Sequence, residues 1–177
     1  MLTVDRERSV LLVVDFQTRL MPAIEDGAAV VRNARRLLDA GRLLKVPVLF
    51  TEQNAKGLGG TLPELLSGSD EIAPKMTFDA CRAPGFPALL PEGRDVVVAG
   101  CETHVCVLQT VLGLVEGGRR VFVVRDAVGS RRAESKETAI RRMERHGIEI
   151  LTMEMVIFEW LETADAARLD ELISIIK

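Results

Sequence analysis

The chain is predicted to be a three-layer α/β protein, a parallel β-sheet covered by helices on both faces. Six short apolar runs rich in Val, Ile and Leu are separated by helix-like or loop-like stretches, the order that builds parallel strands joined by crossovers. The central runs do not alternate polar with apolar residues, as expected of strands buried on both faces. With 177 residues, 47% hydrophobic and 28% charged, the chain can fill one such core and is too short for two ordinary domains, so a single domain over residues 1–177 is expected.

The first run, Ser9-Val10-Leu11-Leu12-Val13-Val14-Asp15, reads as a buried strand that ends on a carboxylate. A loop containing Pro22 leads into a helix whose core stripe is Val30, Ala34, Leu37, Leu38, Gly41 and Leu44. Arg32, Arg35, Arg36 and Arg42 fall on its other face, near Glu25, Asp26 and Asp39, and read as a solvated surface. Val46 to Thr51 is the second strand, with Pro47 tolerable at its opening. From Glu52 to Arg94 glycines and prolines interrupt any long period, as in loops that line a site. Within that stretch Glu71-Ile72-Ala73-Pro74-Lys75 forms a short strand that delivers Lys75 to its end, and Cys81 falls in a loop. Gly57-Leu58-Gly59-Gly60 reads as a flexible turn, because a dinucleotide fingerprint must follow the first strand directly and open a helix.

Val96 to Ala99, β-branched or small and unbroken by charge, reads as a strand buried on both faces, and Gly100 frees the backbone for a sharp turn after it. Thr103 is an acceptable N-cap for a helix with Val105, Leu108, Leu112 and Val115 on one face and Cys106, Gln109 and Thr110 on another flank. Cys106 then sits in a first helical turn, where unpaired N–H groups and the helix dipole favour an anion by roughly 0.3 to 1 kcal/mol. Arg120 to Asp126 is the fifth strand, and Glu134 to His146 is a helix ended by Gly147. Ile148 to Thr152 is the sixth strand. Ala164 to Ile176 is a terminal helix with Leu169, Leu172, Ile175 and Ile176 on its buried side. Between these last two, Met153, Met155, Val156, Ile157, Phe158, Trp160 and Leu161 would make a helix apolar on most of its circumference. One face packs on the sheet and the remainder calls for a second copy of the chain, so a homo-oligomer is expected.

The formal net charge of −3 and pI near 5.5 give no nucleic-acid footprint and point to a small-molecule substrate or a protein partner. No run approaches the ~20 apolar residues of a membrane span, and the charged first residues lack the apolar core of a signal peptide. A cytoplasmic protein is therefore expected. Cys81, Cys101 and Cys106 form neither an even disulfide set nor a C-x-x-C pair, and His104 and His146 are too few for a His-rich zinc site.

Ligands of parallel α/β sheets bind beyond the carboxyl ends of the strands, and Asp15, Lys75 and the Gly100 to Cys106 turn all follow strand ends. A carboxylate, an ammonium and a thiol are thus expected to converge. His104, two residues from Cys106, points away from it on a helix, which leaves Asp15 to take the thiol proton while Lys75 favours the thiolate. After attack on a carbonyl, the backbone N–H groups of Glu102 and Cys106 are placed to receive the developing oxyanion.

Leu12-Val13-Val14-Asp15-Phe16-Gln17, Lys75 followed by Phe78-Asp79, and Gly100-Cys101-Glu102-Thr103-His104-Val105-Cys106-Val107 together resemble the isochorismatase-like cysteine hydrolases, from about Ser9 to Trp160. Val46-Pro47-Val48, Thr51-Glu52-Gln53 and Gly57-Leu58-Gly59 look most like the isochorismatase domain-containing branch. The resemblance implies a six-stranded doubly wound sheet, an Asp15–Lys75–Cys106 triad and a cis Cys101–Glu102 peptide that brings the Glu102 N–H into the oxyanion hole. Phe16, Gln53, Phe78 and Cys101 are expected to line the substrate pocket. Nicotinamidase members of that family hold a metal through an Asp-x-His and a further His near the second strand. Thr51-Glu52-Gln53-Asn54 stands there in this chain, so no metal and no cofactor is expected. Cys106 places the chain with the thiol-dependent members and not with those that cleave a vinyl ether.

The function expected is a cysteine-dependent hydrolase of a small amide or related acyl compound, acting on a C–N bond through a thioester. The alternative is a catalytically silent binding or scaffold member of the same fold. A nucleotide-binding oxidoreductase is disfavoured by the missing glycine fingerprint.

Overall fold

In a computed structural model, which describes residues 2–165 and 167–177, six strands form one parallel sheet. They are β1 (Ser9–Val14), β2 (Val48–Gln53), β3 (Glu71–Lys75), β4 (Asp95–Cys101), β5 (Val121–Gly129) and β6 (Glu149–Leu151). The helices are α1 (Gly27–Leu43), α2 (Ala55–Leu58), α3 (Phe86–Leu89), α4 (Leu108–Glu116), α5 (Ala133–Arg145), α6 (Met153–Leu161) and α7 (Leu169–Ile176). The strand order β3-β2-β1-β4-β5-β6 is that of a doubly wound sheet. The chain builds outward from β1 to β3, crosses back to β4, and builds outward the other way. Strand order therefore reverses between β1 and β4, the position at whose carboxyl ends sheets of this kind bind their ligands.

Strand residues alternate between two cores. Leu11, Val13, Phe50, Val97 and Phe122 pack against α1, α6 and α7, and Val10, Leu12, Leu49, Val98 and Val123 pack against α4 and α5. Burial on both faces is why these runs are uninterrupted by charge, and each fully buried Leu, Val or Phe contributes roughly 1.5–3 kcal/mol. Gly100 fixes the approach of the two central strands. It has φ +154, and a Cβ there would lie 2.5 Å from the Val14 carbonyl oxygen, so only glycine lets the end of β4 close on the end of β1.

Several boundaries differ from the sequence expectation. β1 stops at Val14, because Asp15 turns into the left-handed region at φ 52. β2 starts at Val48 and runs on to Gln53, since its last residues pair with β3 as far as Gln53↔Lys75. β5 extends to Gly129 past a register shift opposite Val98 and Gly100. The terminal helix begins at Leu169 rather than Ala164; Ala166, within the expected helix, and Met1 lie outside the described residues.

Thr103 is not a helix cap. A π-helical turn runs over Thr103–Val107 before α4, its N-cap is Glu102, and the Thr103 hydroxyl is buried without a partner among the described residues. The wider turn rotates the following face, so Cys106, Val107, Thr110, Val111 and Leu114 point inward while Val105, Leu112 and Val115 are half-buried. α6 likewise needs less external cover than its composition suggests. Met153, Val156, Ile157, Trp160 and Leu161 are buried within the chain against α1 and α7, leaving Met155 and Phe158 exposed.

Candidate active site

Asp15, Lys75 and Cys106 meet at the carboxyl ends of β1, β3 and β4. The Asp15 backbone is held by its N–H to the Thr51 carbonyl at 3.2 Å and its own carbonyl to the Gln17 N–H at 2.9 Å. A left-handed non-glycine residue costs of order 1–3 kcal/mol, and two side-chain bonds offset this. Thr51 Oγ1 donates to Asp15 Oδ1 at 2.6 Å, and Lys75 Nζ donates to Asp15 Oδ2 at 2.7 Å. Both side chains of the ion pair are withdrawn from solvent, at 1% and 0% exposure. The Cys106 thiol lies within interaction reach of both. Burial, and then the Asp15 charge, push the thiol up to about 12, while Lys75 pulls the other way. Enclosure and the Asp15 charge thus favour the thiol over the thiolate.

Thr51 and Gln17 carry this geometry and were not singled out in the sequence. Gln17 is fully buried and mimics a neighbouring strand. Its Oε1 accepts from the Gln53 N–H at 2.9 Å, and its Nε2 donates to the Gln53 carbonyl at 3.0 Å and the Gly59 carbonyl at 2.6 Å. Thr51 and Gln53 stand two apart and hence on one face of β2, but Glu52 between them is polar too, so no alternation in the sequence marks them out. The loop after Lys75 is tied to α4 by Thr110, one turn beyond Cys106. Its hydroxyl accepts from the Ala80 N–H at 3.0 Å and donates to the Phe78 carbonyl at 3.4 Å.

The expected pocket residues separate. Phe16 and Cys101 are fully buried in the core on the α1 side, whereas Cys106 belongs to the opposite core. They back the site and offer no surface to a ligand, because each points to the other face of the sheet. Gln53 is 7% exposed and spends its amide on Lys75 Nζ, 2.9 Å from Oε1, and on the Met76 carbonyl, 2.8 Å from Nε2. Phe78 is half-exposed at 52%. A cleft of about 570 Å³ opens beside the end of β3, lined by Lys75, Met76 and Thr77 with Glu52, Asn54 and Lys56.

The Cys101–Glu102 peptide is cis. Arg131, after β5, holds the Glu102 carboxylate through Nε at 2.8 Å and its backbone N–H at 3.3 Å. His104 turns to β5, with Nδ1 3.0 Å from Ser130 Oγ. No cluster of three or more metal-ligating side chains is found among the described residues.

Fold and cluster together define a doubly wound α/β protein that gathers a buried carboxylate, an ammonium and a thiol at the carboxyl ends of its strands. The chain belongs to the isochorismatase family: the family model for the isochorismatase domain matches residues 9–155. It is 38% identical over 173 residues to isochorismatase domain-containing protein 1 of Danio rerio, a match covering 96% of this chain and 61% of that protein. The chain thus spans less than two thirds of that relative. Among solved structures, the MAR1 ribonuclease of Caenorhabditis elegans is 35% identical with a TM-score of 0.91, covering 98% of this chain and 92% of that one. The YcaC gene product of Escherichia coli, described as an octameric hydrolase of unknown specificity, is 26% identical with a TM-score of 0.91, covering 99% of this chain and 91% of that one.

Proposed function

We propose that the chain is a cysteine-dependent hydrolase of a small amide or related acyl compound, acting through a thioester on Cys106. The observation that carries this reading is the meeting of the Cys106 thiol with the buried Asp15–Lys75 pair. Cys106 Sγ attacks the substrate carbonyl carbon and forms the C–S bond. Because enclosure favours the thiol, its proton passes to Asp15 as the bond forms. Lys75 offsets the negative charge on sulfur, and the carbonyl oxygen that gains charge is received by the Glu102 and Cys106 N–H groups. Collapse breaks the C–N bond, and Asp15 returns the proton to the leaving amine. Water then adds to the thioester, and the acid leaves with the thiol restored.

A net charge of −3 and a catalytic cluster shut away from solvent favour a small molecule over a polyanionic substrate. Three free thiols suit a reducing compartment such as the cytoplasm. By analogy with the octameric E. coli relative, the chain is proposed to assemble with copies of itself. The test is a screen of small amides and acyl esters with peptide mapping of the protein. An acyl adduct on Cys106 that is lost in Asp15→Asn supports the reading. Turnover that survives replacement of Cys106, or cleavage of RNA independent of it, overturns it.

A further inference from the structure

We propose that Gln53 is a positioning residue that holds the Lys75 ammonium so that one of its N–H groups stays free for the Cys106 sulfur. The proposal rests on the cysteine-hydrolase reading of the site. An ammonium has three donors. Two short bonds engage two of them, to Asp15 Oδ2 at 2.7 Å and to Gln53 Oε1 at 2.9 Å. The Thr77 and Phe78 carbonyls, at 3.4 and 3.5 Å, are too far to compete strongly for the third. Cys106 is a further neighbour with which Lys75 interacts.

Gln53 suits this role for two physical reasons. Its amide cannot flip, because Nε2 is committed to the Met76 carbonyl at 2.8 Å and the backbone on both sides of the side chain is clamped by Gln17. Oε1 must then face Lys75. The acceptor is also neutral, so it orients the ammonium without cancelling the charge that a sulfur anion needs. A carboxylate would accept the same bond but add a second negative charge beside Asp15, and would set an oxygen against the Met76 carbonyl.

The experiment is peptide-resolved alkylation of all three cysteines by iodoacetamide as a function of pH, which needs no knowledge of the substrate. Cys101 is fully buried and must stay unreactive in any variant that is folded. Gln53→Met keeps the side-chain length and removes the acceptor. It is expected to displace the Cys106 rate profile to higher pH by about one unit, a fall of about tenfold in rate at fixed pH. Gln53→Glu keeps the acceptor and adds charge, and is expected to displace it in the same direction. In an Asp15→Asn/Lys75→Met background, Gln53→Met should have no further effect, because the residue acts through Lys75. A folded Gln53→Met protein with the wild-type profile overturns the inference. If a folded Lys75→Met protein has the wild-type profile, it is the triad reading that fails.

Discussion

Lys75 Nζ and Asp15 Oδ2 stand 2.7 Å apart with neither side chain open to water, so each charge depends on the other for compensation. Removing one partner of such a pair strands the other in a low-dielectric interior, at a cost of roughly 3–5 kcal/mol. Lys75→Met is expected to destabilise the protein by about that amount, and adding Asp15→Asn should restore part of the loss, since the amide still accepts from Thr51 and carries no charge. Urea denaturation of the two single variants and the double variant measures this coupling. Strictly additive losses would mean that the pair contributes nothing as a pair.

Replacing Cys106, the proposed nucleophile, separates chemistry from folding. Cys106→Ser conserves size in a site already 6% exposed and should leave stability within about 1 kcal/mol. Turnover of a substrate found in the amide screen should drop below about 1% of wild type, because a hydroxyl does not supply the anion that a thiol does. Asp15→Asn should come close to the same loss, and the two combined should be little slower than either alone, as members of one catalytic unit are not additive. Single-turnover rates on the three proteins test this, and a double variant far slower than both singles would break the unit.

All three thiols are harder to ionise in the folded protein. Burial is the leading cause for Cys81 and Cys106, both pushed up to about 12, and for Cys101, which is pushed up as well. The unfolded chain loses these protons near the ordinary value of 9.0, whereas the folded chain retains them. Above that pH the folded state binds more protons than the unfolded one, so stability is complete below pH 9 and falls as pH rises toward 12. The slope per enclosed thiol is at most about 1.4 kcal/mol per pH unit, and partly exposed Cys81 should contribute less. Cys101→Ala should flatten the decline in urea midpoints measured under reducing conditions between pH 8.5 and 11. An unchanged slope would show that Cys101 does not titrate differently on unfolding.

Much of the fold is legible in the sequence because burial on both faces is written locally. Each of the six apolar runs became a strand, and Asp15, Lys75 and Cys106 lie at or just beyond the carboxyl ends of strands. Strand order is not local information, and the meeting of three groups 60 and 31 residues apart in sequence (Lys75 minus Asp15, Cys106 minus Lys75) rests on it. The π turn at Thr103 is likewise invisible to a 3.6-residue period and rotates the face that period predicts. Thr51 and Gln17 look ordinary in sequence. Only the pairing of β2 between β1 and β3 shows that they carry the backbone and carboxylate of the site.

Trp160 and Phe158 divide the apolar surface of α6 between an inward and an outward side. Trp160 is fully buried, lies 3.6 Å from where a Cβ on Gly41 would stand, and donates through Nε1 to Ser9 Oγ at 3.1 Å. Trp160→Ala should therefore cost roughly 3–5 kcal/mol of stability, and a charge there should unfold the chain before it separates subunits. Phe158, 44% exposed, and Met155, 46% exposed, are what remain outward on the same helix. If the chain assembles through this face, Phe158→Glu should lower the sedimenting mass toward the 19.5 kDa of one chain while leaving the urea midpoint of the folded subunit nearly unchanged, because an outward side chain contributes little to the core. Sedimentation velocity at micromolar concentration reads both outcomes. A wild-type protein found only at the mass of one chain would refute the assembly itself, and a Phe158→Glu protein that keeps the larger mass would move the interface to another face.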